Sequence, residues 1–257
     1  MTLPLTALFS LDGLNALVTG GSSGIGRTIA LALAEAGASV VLLARHRDRL
    51  EETAHAIEAM GGGAAWLDCD LSDRGSLADA AIRAAKPFGK PDIVVNAAGI
   101  NRRPPLPELT AEDWDATLRL NLDAPFFLGQ ALAPGMAARG WGRIINIASL
   151  QSVRSFGNSG AYGVSKAGIA QLTRAQAEAW SARGINCNAI APGFFPTPLT
   201  RAVFDDPQRA AALAARTMIG RNGTLEDLRG VAVFLASRAS DYITGQVVFV
   251  DGGFSAG

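Results

Sequence analysis

NALVTGGSSGIGRTIALALAE, residues 15–35, is the stretch that decides the fold. An apolar run, NALVT, passes directly into glycines at Gly20, Gly24 and Gly26, and these open an alanine- and leucine-rich helical pattern. A glycine loop alone can be only a tight turn. Between a strand and a helix it is the place where backbone amides and the helix dipole hold a pyrophosphate, with glycines serving the turn, the close approach and the helix packing. The spacing here is G-x-x-x-G-x-G, and Ser22, Ser23 and Ile25 complete the loop as candidate cofactor contacts.

Outward from that loop, short β-branched runs alternate with helical patterns, the signature of a parallel sheet joined by helices. The reading is an α/β, doubly wound, Rossmann-type domain over residues 1–257, with a cofactor-binding half at about 10–150 and a catalytic and substrate half at about 149–257. Strands are predicted at NALVT, SVVLLA, AAWLD, DIVVN, RIINIAS, INCNAI and QVVFVDGG. Helices are predicted at 24–36, 47–60, 72–85, 110–139, from AYGVSK to Arg183, near 206–215 and at 225–236, with Pro125 expected to kink or interrupt the longest. The strands are apolar throughout, as when helices cover both faces of the sheet.

The end of the second strand distinguishes NAD from NADP, because an acid there bonds ribose hydroxyls and an arginine accommodates a 2′-phosphate. LLARHRDRL places Arg45 directly after the strand, then His46 and Arg47, with no acid at the ribose position. That favours NADP(H) with NAD(H) also possible, although Arg45 could simply end a strand in solvent, and His46 reads as exposed. Asp70, with Leu71, either reaches the adenine or serves as an acid at a helix N-terminus, while Asp68 can cap its strand. NAAG, residues 96–99, closes the fourth strand at the carboxyl edge, where small residues let a cofactor pass.

AYGVSK, residues 161–166, sets Tyr162 four places before Lys166 in a chain with two tyrosines and three lysines. Chance would produce that spacing only about 0.02 times. Residues four apart share a helix face, so phenol and ammonium can meet one pocket, and an adjacent ammonium would draw a phenol toward the working range. Ser149, at the end of IINIAS, could polarise the same oxygen.

Composition excludes other classes. Twenty-three basic residues balance 23 acidic ones without blocks of like charge, which argues against nucleic-acid and membrane surfaces. Cys69 and Cys187 sit in apolar stretches and read as thiols in a reducing cytoplasm. MTLPLTALFSLDG lacks the regions of a secretory signal. IALALAEAGASVVLLA is broken by Glu35 and Gly37, so no membrane span is expected. No metal is expected either.

TGGSSGIG, NAAG, Asn121, Ser149, YGVSK and the PG at 192–193 together resemble the short-chain dehydrogenase/reductase family over essentially the whole chain. The resemblance implies a seven-stranded sheet ordered 3-2-1-4-5-6-7, Tyr162 as general acid/base, Lys166 also on the nicotinamide ribose, Ser149 orienting substrate and Asn121 holding a relay water. It further implies that Asn96, Ala97 and Gly99 line the cofactor, that Pro192, Gly193 and Thr197 lie by the nicotinamide, and that the enzyme is a homotetramer. NAAG where the family often has NNAG, and Val164 within the Tyr-to-Lys motif, remove no catalytic group. AGINRRPP, INIASLQS, APGFF and ASDYITGQVVFVDGG look most like the gluconate 5-dehydrogenase and 2-deoxygluconate 3-dehydrogenase branch.

A sugar-acid carboxylate suits an arginine fork. Arg102 or Arg154 is therefore the expected contact, the alternative being a subunit interface or solvent; Arg103 also flanks the site. The expected enzyme is an NADP(H)-dependent oxidoreductase acting on a secondary alcohol or ketone of a sugar acid or polyol. A 3-oxoacyl thioester reductase is the alternative within enzymes, and a nicotinamide-sensing binding protein the alternative outside them, which the intact Asn121, Ser149, Tyr162 and Lys166 set argues against.

Overall fold

The structure is a computed structural model and describes residues 4–257; residues 1–3 of the expected domain lie outside it. In chain order the elements are α1 (Leu5–Phe9), β1 (Asn15–Thr19), α2 (Gly24–Glu35), β2 (Ser39–Ala44), α3 (Arg47–Ala59), β3 (Ala64–Asp68), α4 (Arg74–Ala84), β4 (Ile93–Asn96) and α5 (Ala111–Leu118). There follow α6 (Ala124–Arg139), β5 (Gly142–Ile147), α7 (Gly160–Trp180), β6 (Ile185–Pro192), α8 (Arg201–Phe204), α9 (Pro207–Ala214), α10 (Arg229–Ala236) and β7 (Val247–Val250). All seven strands are parallel, in the order β3-β2-β1-β4-β5-β6-β7, as the family resemblance implied.

Each strand feeds two cores by period-two alternation. On one face Ala16, Val18, Val40, Leu42, Ile93 and Val95 pack with α2, α3 and α10. On the other, Leu17, Val41, Leu43, Val94 and Ile144 pack with α4, α6 and α7. Register sets Thr19 beside Asn96 and Asn96 beside Asn146, so the carboxyl ends of β1, β4 and β5 meet where the strand order reverses. That crevice is where ligands bind in open α/β sheets.

The long helical stretch is interrupted as expected, but the break is a π turn at Arg119–Asp123, with Pro125 in the first turn of α6. Proline has no N–H for the carbonyl four residues back, here Asn121, so the α-helical ladder skips at this point. Pro134 lies inside α6, and α1 and α8 were not foreseen. At the opposite edge, Arg143 at the start of β5 is 2% exposed and stacks 4.4 Å from the Trp141 ring while donating to Asp241 and to the Ser237 carbonyl. That buried cation serves the fold, since it lies at the amino ends of the strands.

Candidate active site

The floor of the site is set by Thr19. Its hydroxyl accepts from the amides of Ala97 (3.0 Å) and Ala98 (3.1 Å), drawing the loop after β4 against the end of β1. That closeness explains two glycines. Gly20 has φ +68°, and a Cβ there would fall 2.9 Å from the Ala98 backbone, while a Cβ at Gly26 would overlap the Gly20 carbonyl. Ser23, the residue before α2, makes no side-chain cap, so the first amides of a 12-residue helix stay free for an anion.

A cavity of about 710 Å³ opens above this floor, lined by the glycine loop with Ser22, Ser23 and Ile25, and by Arg45, Asp70, Leu71, Ala97 and Gly99. Pro192, Gly193 and Thr197 close it from the far side, and Ser149, Tyr162 and Lys166 lie on its wall. Gly193 packs so closely that a Cβ would approach the Asp251 Cα to 2.8 Å.

The phosphate-selecting end has more cation than expected. Arg45, His46 and Arg49 all border the cavity; His46 is exposed, as expected, and Arg49 was not foreseen. Its place one helical turn beyond Arg45, on α3, was the available signal. Arg47 turns away, donating to Glu51 at 3.0 Å and stacking 5.0 Å from the Trp66 ring. Asp70 lies before α4, whose first turn is capped by Asp73, so it is not the acid of that helix N-terminus. It lines the cavity, and its carboxylate accepts from the Ser72 amide (3.0 Å) and hydroxyl (2.7 Å), which hold it below the usual carboxylate range, with Arg45 adding to the effect.

Tyr162 (8% exposed) and Lys166 (5%) lie on one face of α7. The Lys166 ammonium donates to the Ile147 carbonyl at 2.6 Å and sits 5.7 Å from the Tyr162 ring centre. Burial pushes Lys166 down to about 8. Burial also pushes the Tyr162 phenol up, opposed by its hydrogen bond with Ser149 and by the charge of Arg103. The expected lowering of the phenol by Lys166 is thus not the dominant effect: desolvation wins, and the opposing cation is Arg103. Ser149 is positioned by its own local structure, since its hydroxyl accepts from the Gln151 amide at 3.1 Å at the start of a short turn.

Asn121 is 1% exposed and does not line the cavity. Its amide accepts from the Ile100 N–H (2.9 Å) and donates to the Ile100 carbonyl (2.9 Å) and to Ser165 (3.1 Å). Gly99 lies under both groups, its Cβ position 3.2 Å from Asn121 Oδ1 and 3.9 Å from Lys166 Nζ. The side chain therefore ties the π turn to the loop after β4 and to α7.

Three expectations are corrected. Asn96 does not line the cavity, because its amide turns under the sheet and donates to Asn146 at 2.8 Å, and Asn146 in turn donates to Thr173 and Gln176. Arg102 is held by Asp113 at 2.5 Å, outside the cavity. Arg154 donates to the carbonyls of Ser255 (3.1 Å) and Gly257 (2.6 Å) and also misses it. Arg103 is the member of that trio on the wall, braced on the Gly157 carbonyl at 2.8 Å. Arg209 of α9 and three amides, Asn101, Gln151 and Asn158, also line the cavity; none was singled out from the sequence, although Asn101 lies in AGINRRPP and Gln151 in INIASLQS.

The family whose model is described as Enoyl-(Acyl carrier protein) reductase matches residues 20–255. Gluconate 5-dehydrogenase of Gluconobacter oxydans is 42% identical, over 96% of this chain and 97% of that protein. 2-Dehydro-3-deoxy-D-gluconate 5-dehydrogenase of Bacillus subtilis is 42% identical, over 96% of each chain. Among solved structures, a gluconate 5-dehydrogenase from Burkholderia cenocepacia in complex with NADP and tartrate superposes with a TM-score of 0.94 at 40% identity, covering 99% of this chain and 100% of that one.

Proposed function

The chain belongs to the short-chain dehydrogenase/reductase family, and on that footing we propose that it is an NADP(H)-dependent oxidoreductase interconverting a secondary alcohol and a ketone on a sugar acid. One observation carries the reaction class: a buried phenol and a buried ammonium share a helix face beside Ser149, on the wall of a cavity whose floor tolerates no side chain at Gly20 or Gly26. The glycine floor, the free α2 amides and the Arg45–Arg49 end fit a phosphorylated dinucleotide.

When bound, the nicotinamide supplies or accepts the hydride. Tyr162 gives its proton to the carbonyl oxygen in reduction and takes one from the alcohol in oxidation. Ser149 donates to the same oxygen and orients it. With the cofactor bound, Lys166, pushed to about 8, would hold its ribose hydroxyls, and the Asn121 carbonyl, which Pro125 leaves without its α-helical donor, would be the anchor for a relay water. The three relatives named above act, by their names, on gluconate or a dehydro-deoxy-gluconate, which supports a sugar acid. An acyl thioester would require a reason for the cationic wall that a carboxylate supplies directly.

The deciding assay follows NADPH and NADH oxidation, and the reverse, over keto-sugar acids, polyols and 3-oxoacyl thioesters. NADPH-driven reduction of a keto-sugar acid is the expected result; preference for a thioester would reject the reading. Arg103→Ala should raise KM for carboxylated substrates about 10-fold or more, while Arg102→Ala and Arg154→Ala leave it unchanged. An unmoved KM in Arg103→Ala would remove the carboxylate contact. Exchanging Arg45 for aspartate should move the NADPH-to-NADH ratio of kcat/KM toward NADH by about 10- to 100-fold, since it deletes a charge-assisted phosphate contact and supplies an acid for ribose hydroxyls. An unchanged ratio would sink the 2′-phosphate argument.

Exposed Trp114, Phe126 and Val164 on α5, α6 and α7 support association as a homotetramer. Light scattering at about 106 kDa, four times 26.6 kDa, would agree and a monomer mass would not. No helix among the described residues is long and apolar enough to cross a membrane. A cytoplasmic location is the reading we carry with it, testable by fractionation.

A further inference from the structure

Three side-chain amides stand at the substrate end of the cavity: Asn101, two residues past Gly99; Gln151, two past Ser149; and Asn158. Asn101 Oδ1 and Gln151 Oε1 are buried without a hydrogen-bond partner, and they are two of only four such side-chain atoms among the described residues. A buried carbonyl oxygen without a donor is destabilising, and native folds seldom keep one without a reason. Two on one cavity wall, each two residues from a cofactor or catalytic position, point to a ligand that brings the donors.

The surroundings narrow that ligand. Gln151 Oε1 lies 3.3 Å from where a Gly163 Cβ would be, so the glycine following Tyr162 leaves room for this amide against α7. Asn158 is the only non-glycine residue with positive φ among the described residues, at +55°, and such strain gathers at functional sites. Phe156 stands edge-on to Phe194 at 5.8 Å, and both rings line the same cavity. Amide oxygens require O–H or N–H donors, and an aromatic wall accepts the C–H face of a carbon chain. A polyhydroxylated chain offers both. The alkyl chain of an acyl thioester offers no O–H.

Resting on the ketone and sugar-acid reading above, we infer that Asn101 and Gln151 are the specificity-determining residues of this site, accepting hydrogen bonds from substrate hydroxyls on carbons flanking the reacting one. The terminal torsion of an amide is broad, so each can turn its oxygen to the cavity when such a donor arrives. A site built to bond hydroxyls rejects analogues lacking them, because its polar groups then stay unpaired.

The test uses Gln151→Met and Asn101→Leu, both close in volume to the native side chains. The probes are 5-keto-D-gluconate as substrate and 5-oxohexanoate, its hydroxyl-free counterpart, as competitive inhibitor. Each variant is expected to raise KM for the hydroxylated substrate about 10-fold, with kcat within about threefold, because the lost contact serves ground and transition states alike. NADPH binding, read by fluorescence, and the Ki of 5-oxohexanoate should not move. An unmoved KM, or a Ki rising in parallel with it, overturns the inference. If Asn101→Leu loses NADPH binding through misfolding, Asn101→Ala, which removes the acceptor oxygen without adding bulk, replaces it; its KM should also rise, with the Ki unmoved, and an unmoved KM again overturns the inference. Wild-type protein that ignores 5-keto-D-gluconate but reduces acetoacetyl thioesters would instead reject the functional reading, and this inference with it.

Discussion

Tyr162→Phe should lower turnover by about 10³-fold, within the range that a positioned acid/base supplies, while NADPH binds as tightly as before. The substitution removes one oxygen and leaves the ring, which is 8% exposed and packed on α7. Lys166 keeps its bond to the Ile147 carbonyl, and Ser149 keeps the Gln151 amide, so the rest of the site stands. What disappears is the only phenol in the cavity lining. The pH dependence adds a second reading. Burial pushes this phenol above its ordinary range, so ketone reduction, which needs the protonated form, should persist into alkaline solution, while alcohol oxidation should climb with pH. A variant that retains more than about a tenth of wild-type turnover would disprove the assignment.

How far the sequence reaches can be judged residue by residue. The strands were legible because parallel strands are covered on both faces and therefore apolar throughout, as in SVVLLA, all of which except Ser39 is buried. The glycine loop was legible because close backbone approach leaves only glycine possible at Gly20 and Gly26. Tyr162, Lys166 and Ser149 were legible because scarce residues at helical spacing beside a strand end carry their own geometry. Side-chain direction in loops was not. Arg102 and Arg103 are adjacent and identical in type, and the position of Asp113, on a helix eleven residues beyond Arg102, decides which one turns from the cavity. Arg154 is claimed by the backbone of Ser255 and Gly257, a contact across about a hundred residues that no local pattern encodes. Asn96 was misplaced for a similar reason: its partner is Asn146 on the neighbouring strand, fixed by register. Pro125 announced a break in the helix, but that the break would be a π turn holding Asn121 depended on Ile100 and Ser165 gripping its amide.

Lys166→Met should do two opposite things at once, lowering turnover by about 10²-fold or more while making the cofactor-free protein more stable at pH 7. The ammonium is 5% exposed and burial pushes it down to about 8, against about 10.4 in an unfolded chain. Folding at pH 7 therefore carries an unfavourable contribution of at most about 3 kcal/mol from this one group. Methionine fills the same channel with an apolar stem, at the cost of leaving the Ile147 carbonyl without its donor, about 1 kcal/mol. The net gain of about 2 kcal/mol corresponds to a melting temperature about 4–8 °C higher for a chain of this size. The sign with pH is fixed by linkage. Below pH 8 both folded and unfolded wild-type chains hold the proton, and the penalty is full. Between pH 8 and about 10.4 the unfolded chain binds more proton than the folded one, so wild-type stability rises relative to the variant, and above that range the lysine is neutral in both states. Chemical denaturation of both proteins at pH 7 and pH 10.5 measures this directly. A methionine variant less stable at pH 7 would contradict the expectation, and an advantage that persisted undiminished at pH 10.5 would place the cost somewhere other than in the buried ammonium.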